Sequence, residues 1–307
     1  MINKVQEFLG IPVSGLLDDF TSAALRNYQI KNGLIANGIL DDPTIEKMFP
    51  GENLEADTDK RMAPIIHKKY LDKDEYLGPS KKKFIFGHHT AGWNNPYATV
   101  EDWNNDNRGP VGTQYIIGGL NPATGDPTFD GEIVECMPDG GWGWNLTIGT
   151  KGDPGLVHAS TVGIELCNFG WVTKDGVFAD RNNLKGWVAK PKGFYSWAGT
   201  RIQANQVVDL KMEFRGFRYF VKYSDKQLEA LQYLIPTVAA KHGIDHRKGL
   251  QERLKRFKNP VLAFEYDDKI KAGKESSTGL YCHSNVYLSG KWDWNPQPNL
   301  IEMILSL

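Results

Sequence analysis

Lys82-Lys-Phe-Ile-Phe-Gly-His-His-Thr-Ala-Gly92 is the stretch on which the reading of this chain turns. Phe84, Ile85 and Phe86 form an apolar run with strand character, and they deliver two adjacent histidines into a turn ending at Gly92. Neighbours on a strand point to opposite faces, so His88 and His89 cannot share one job. One faces a site while the other packs behind it. Far downstream, Tyr281-Cys-His-Ser-Asn-Val-Tyr-Leu-Ser-Gly-Lys-Trp-Asp-Trp294 offers His283, Lys291 and Asp293. Two imidazoles and a carboxylate are a ligand set suited to catalytic zinc, which keeps a fourth position open for water.

Composition bounds what surrounds that set. With 307 residues and 40% hydrophobic content, the chain can bury one large core, or one core plus a small satellite domain. A net charge of -1 gives no argument for a nucleic-acid or anionic-membrane partner. Nine tryptophans, many near glycines in polar loops, serve mostly in packing, and a minority could line a groove for sugar rings. Cys136, Cys167 and Cys282 are odd in number and widely spaced within apolar runs, which reads as buried thiols rather than a disulfide framework. No run of about 18 apolar residues exists, so no membrane insertion is expected. The opening Met-Ile-Asn-Lys-Val-Gln-Glu lacks the basic-then-apolar pattern of a secretory signal. The expected location is therefore a cytoplasm, unless another protein releases the chain.

Residues 1–50 read as a separate unit with an internal repeat, Gly15-Leu-Leu-Asp-Asp-Phe-Thr21 returning as Gly38-Ile-Leu-Asp-Asp-Pro-Thr44. In each copy an Asp precedes a helical pattern, and Asp42-Pro43 sets an N-cap before a proline at the first helical position. The helix after the first copy carries Ala23, Leu25, Tyr28 and Ile30 and stops at Asn32-Gly33. With Val5 to Leu9 and Pro43 to Phe49, this makes a small three-helix domain with neither His nor Cys. Residues 51–60 turn polar and acidic and read as a linker.

Residues 61–307 read as α/β, a central mixed β-sheet flanked by helices. The lead-in to residue 80 predicts one short helix. After the strand to His88, Thr99-Val-Glu-Asp102 predicts a helix from Val100 to Asn105. Gln114-Tyr-Ile-Ile117 and Gly131-Glu-Ile-Val-Glu-Cys136 are strands able to pair as a hairpin. Gly140-Gly-Trp-Gly-Trp-Asn145 is a loop that serves either as a groove wall or as turn packing. In Thr161-Val-Gly-Ile-Glu-Leu-Cys167, Glu165 interrupts a buried apolar strand, so its carboxylate has to be paired, hydrogen-bonded or functional. Residues 170–220 have weak periodicity and read as a large surface excursion. Ser224-Asp-Lys-Gln227 is a capping box opening the longest helix, which Pro236 should kink and Gly243 ends. Residues 245–275 are charged and ambiguous, and Thr278 to Cys282 is a last strand carrying His283.

Two resemblances follow from these motifs. The first unit resembles the peptidoglycan-binding domain found beside many cell-wall hydrolases, through Val5-Gln6, Leu9-Gly10, the two Asp-Asp turns and Tyr28-Gln29 with Asn32-Gly33-Leu34; a purely structural helical cap is the competing reading. From about residue 61 onward the chain resembles the zinc-dependent N-acetylmuramoyl-L-alanine amidases shared by phage lysins and peptidoglycan recognition proteins. Phe84 to Gly92 is similar to the family's first zinc motif, Thr113 to Ile117 to its next strand, and Val162-Gly-Ile-Glu-Leu166 to its Ile-Gly-Ile-Glu strand. Phe214-Arg-Gly-Phe and Tyr223 to Gln227 are similar to the lead-in to its long helix, and Cys282-His283 with Lys291-Trp-Asp293 to its closing motif. The resemblance implies one zinc per chain held by His88, His283 and Asp293, with His89 structural or substrate-facing. It implies Glu165 as the base and Lys291 beside the oxyanion. Thr113 stands where some members carry a catalytic tyrosine, Asn145 after Trp144 where a histidine is found, and His158 where an Asn is usual. Those four residues are candidate substrate contacts.

The implied reaction is hydrolysis of the amide between the lactyl group of N-acetylmuramic acid and L-alanine. The partner expected is bacterial peptidoglycan, and the chain is expected to be a monomer. An endolysin waiting in a host cytoplasm until release to the wall fits this reading. A muropeptide-binding protein without activity and a zinc peptidase cutting within the stem peptide are the alternatives.

Overall fold

The structure is a computed structural model that describes residues 2–13, 19–34, 36, 38, 40, 42–52, 64–146, 158–180 and 183–307. The chain divides into two compact units, Met1–Ile65 and Ile66–Leu307. Gly15 to Asp18 of the first repeat copy, Ile39 and Asp41 of the second, and residues 53–60 of the expected linker lie outside the described residues.

In the first unit the described residues form α1 (Ile2–Leu9), α2 (Asp19–Lys31) and α3 (Asp42–Met48). Val5, Leu25, Leu40, Ile45, Met48 and Phe49 share one small core. The repeat reappears as paired hydrogen bonds. Gln6 Nε2 donates to Thr21 Oγ1 at 2.9 Å, and Gln29 Nε2 donates to Thr44 Oγ1 at 3.1 Å. Each buried amide meets the threonine that ends its copy of the motif, which explains a polar pair inside so small a core.

The second unit carries two sheets. The first contains β1 (Ile66–Lys68), β2 (Phe84–His89), β3 (Tyr115–Ile117), β4 (Ile133–Glu135), β5 (Thr161–Leu166) and β11 (Gly279–Cys282), in the order β1-β4-β3-β5-β2-β11. Only β3 and β4 pair antiparallel; the other neighbours are parallel, so the sheet is mixed. Buried on both faces, β2 to β5 and β11 carry mostly apolar runs, whereas the edge strand β1 is partly exposed. Ile117, Ile164 and Leu166 pack against α5 (Asp225–His242), α6 (Leu250–Arg256), α7 (Val261–Phe264) and α9 (Pro298–Ser306). Ile116, pointing the other way, packs with Val134, Cys136 and Cys167 against Val100 of α4 (Pro96–Asn104). A one-turn α8 (Asp268–Lys271) follows α7, and His283–Asn285 forms a 3-10 turn directly after β11. Ser224 and Gln227 form the expected capping box, α5 runs through Pro236, and Gly243 takes the left-handed cap at φ 68.

Three expectations are corrected. Residues 64–80 hold strand β1 and turns, not a helix, because Ile66-His-Lys68 pairs in parallel with Ile133–Glu135. Helix α4 starts at Pro96, with the Asn95 side chain accepting from Tyr97 N and Ala98 N; Thr99, which resembles a cap, donates to the Asn95 carbonyl from inside the helix. The described residues between 171 and 221 form a second, antiparallel sheet rather than an excursion. It contains β6 (Trp171–Asp180), β7 (Lys185–Ser196), β8 (Arg201–Ile202), β9 (Val207–Phe214) and β10 (Phe217–Val221) in the order β8-β7-β6-β10-β9. Phe214 pairs with Phe217, and Arg215 and Gly216 both have positive φ, 51 and 84, as the two-residue turn between twisted strands requires. Phe214-Arg-Gly-Phe217 is therefore a hairpin.

The three cysteines are free and buried. No helix among the described residues is long and apolar enough to cross a membrane.

Candidate metal centre

The parallel register assembles the site. Tyr281 pairs with Phe86 and Cys282 with Gly87, so the next residues, His283 and His88, leave β11 and β2 side by side. His88 pairs with Glu165 of β5, and paired residues point to the same face. His88, Glu165 and His283 thus share one face at the carboxyl ends of three neighbouring strands, where open α/β sheets gather their chemistry. Asp293 arrives from the loop before α9. The nitrogens of His88 and His283 and a carboxylate oxygen of Asp293 lie within 4.8 Å of one another, and all three residues are buried.

The separations favour a shared cation over a closed hydrogen-bond network. His88 Nδ1 lies 3.1 Å from His283 Nδ1, which in turn lies 2.8 Å from Asp293 Oδ2. A neutral imidazole carries one hydrogen. If His283 Nδ1 gives it to Asp293, no lone pair remains there for His88; if it accepts from His88, its lone pair faces the carboxylate. A metal ion satisfies all three atoms at once.

Protonation states agree. Burial, with the charge of His283, holds His88 well below the ordinary histidine range. Burial also lowers His283, against the opposing pull of Asp293. At Asp293 burial alone would raise the carboxyl, but the charges of His89 and Lys291 and the bond from His283 outweigh it and keep it ionised. Neutral imidazoles and an ionised carboxylate are the forms that bind metal. His89, the last residue of β2, also lines the cavity, with Nε2 3.3 Å from Asp293 Oδ1, and so steadies the carboxylate rather than packing behind the site.

All ten sequence candidates line one cavity of about 930 Å³. Burial, then the charge of Asp293, pushes the Glu165 carboxyl up to about 8, with Lys291 opposing. Thr113 turns its hydroxyl to the Tyr115 carbonyl at 3.0 Å and is buried, and Asn145 stands 3.3 Å from the Thr161 hydroxyl. Trp144 is half exposed on the rim. Lys82 Nζ donates to the Gly141 and Ala159 carbonyls at 2.9 and 3.0 Å, clamping the glycine-tryptophan loop to the start of β5. Phe169, Trp171 and Trp197, at the entry to and within the second sheet, form an aromatic wall that sequence reasoning missed. Tryptophans beside glycines in residues 170–197 were the only signal.

The class these observations define is a protein with a small helical unit and an α/β unit bearing a buried His-His-Asp triad able to hold a metal ion. Residues 2–48 match the family model of a peptidoglycan binding domain, which supports such a domain at the N-terminus and peptidoglycan as a partner. A comparison with curated proteins finds no match to the chain.

Proposed function

We propose that the large unit is a zinc-dependent N-acetylmuramoyl-L-alanine amidase acting on bacterial cell wall. The convergence of His88, His283 and Asp293 on one point carries this reading. Two imidazoles and a carboxylate suit zinc, and the 3.1 Å between the two Nδ1 atoms is close to the edge of about 3.3 Å that tetrahedral zinc with ordinary nitrogen bonds spans. The peptidoglycan-binding unit on the same chain supports the substrate.

A zinc ion held there would polarise the lactyl carbonyl and make water acidic enough to react near neutral pH. Glu165, beside His88 at the strand ends, takes the proton from the attacking water and returns it to the departing amine of L-alanine. Burial raises the Glu165 carboxyl above the ordinary carboxylate range, which strengthens it as a proton acceptor once ionised beside the bound cation. The Lys291 ammonium, whose charge already acts on both Asp293 and Glu165, stabilises the oxyanion formed on the lactyl carbonyl. The aromatic wall keeps the reacting amide out of bulk water.

Mass spectrometry of digested sacculi, with and without a chelator, tests the assignment. Glycan strands free of stem peptides, lost with chelator, are expected. New amino termini inside the stem would make the protein a peptidase, and no cleavage by the zinc-loaded protein would leave a binding protein.

A further inference from the structure

His158 lines the cavity from just before β5, and its two ring nitrogens have different surroundings. Nδ1 lies 3.1 Å from the backbone nitrogen of Leu146. An amide N–H only donates, so Nδ1 is the bare acceptor and the hydrogen of the neutral ring sits on Nε2. With Nδ1 occupied, Nε2–H is what the ring offers to the cavity. Burial, with the charge of His283, lowers the pKa to about 4, so the ring stays neutral in the working range. Its position is fixed at the backbone too. Thr161 Oγ1 donates to the His158 carbonyl at 2.9 Å, and Lys82 holds the neighbouring Ala159 carbonyl.

The triad supplies three ligands without His158, and Glu165 handles the proton. We propose that His158 is a further catalytic residue: its Nε2–H donates a hydrogen bond to a carbonyl or carboxylate oxygen of the muramoyl peptide beside the triad. This rests on the amidase reading. A neutral imidazole suits the position, because it stabilises charge developing on oxygen without adding a second net positive charge next to a metal ion. A doubly protonated ring would turn an N–H against the Leu146 amide, so the fold selects the neutral donor.

Two substitutions separate the nitrogens in the full, zinc-loaded chain. His158→Asn keeps an oxygen near the Nδ1 position for Leu146 and withdraws the N–H donor from the Nε2 position, its own amide N–H falling short of it; His158→Gln extends an amide N–H toward the Nε2 position. His158→Asn is expected to fold and bind zinc as the parent does while losing about a hundredfold in kcat/KM, and His158→Gln to recover most of that loss. Nitrogen-15 imidazole spectra of the parent should show His158 protonated on Nε2, with that resonance shifting on addition of N-acetylmuramoyl-L-alanyl-D-isoglutamine. Parental activity in His158→Asn, or an Nδ1-protonated ring, would overturn the proposal. Weakened zinc binding in His158→Asn would also overturn it, by making the ring a ligand. If the parent fails to cleave the lactyl amide yet the Nε2 resonance still shifts, the amidase reading falls and the contact stands.

Discussion

Arg215 reaches out of the second sheet to Lys291, its Nη1 donating a 2.8 Å hydrogen bond to the Lys291 carbonyl. Nη2 donates to the Ser284 carbonyl at 2.7 Å, next to His283, and the Trp292 indole donates back to the Arg215 carbonyl at 3.0 Å. A turn in one sheet therefore holds the segment that supplies a histidine, a lysine and an aspartate to the candidate site beside the other.

Arg215→Ala should cost roughly 2–3 kcal/mol, since two carbonyls lose charged donors and Glu265 loses its partner. It should also lower kcat/KM by about a hundredfold through misplacement of Lys291 and Asp293. Arg215→Lys, with one donor nitrogen where three are used, should restore little of the activity. Denaturant titration and steady-state kinetics on a muramoyl peptide read the two effects separately.

Glu165 predicts a pH dependence of stability opposite to that of most carboxylates. Its folded pKa, about 8, lies above the ordinary 4.5, so between these values the folded chain holds a proton that the unfolded chain releases. Stability of the metal-free protein should then fall as pH rises through this window, by up to about 1.4 kcal/mol per unit from this one group. Glu165→Gln should remove that component, seen as a difference in slope between parent and variant in urea titrations with chelator. Equal slopes would show that Glu165 titrates normally. The same variant should lose about a thousandfold or more in kcat with zinc affinity retained.

Gly87 is a packing requirement. A Cβ there would stand 2.1 Å from the Trp294 ring, which is fully buried and donates from Nε1 to the His88 carbonyl at 3.1 Å. Gly87→Ala must push Trp294 away, at a cost of about 1–3 kcal/mol. Because Trp294 is bonded to Asp293 and hydrogen-bonded to His88, the variant should also bind zinc more weakly. A thermal melt and a competition titration against a chromogenic chelator check both.

The members of the candidate triad were legible as residue types, two imidazoles and a carboxylate, while the choice of His88 over His89 came from the resemblance. An unexplained carboxylate in an apolar strand singled out Glu165; alternation put His88 and His89 on different faces, yet at the strand's last two residues both reach the cavity. The second sheet was not legible, for reasons visible in its backbone. Asp175, Leu184, Lys211 and Arg215 all adopt positive φ, and register shifts interrupt both the β6–β7 and the β9–β10 pairing, so no period of two survives. Strand β7 is exposed from Lys185 to Lys192, so no buried face there marks it as a strand. At α4 the Thr99 pattern imitated a cap because threonine hydroxyls bond backward within helices as readily as they cap them.

Calorimetric titration of zinc into the metal-free chain tests the central claim most directly. One site per chain is expected in the parent and none in the His283→Ala and Asp293→Ala variants. A parent without a saturable site, or variants that bind as the parent does, would contradict the account.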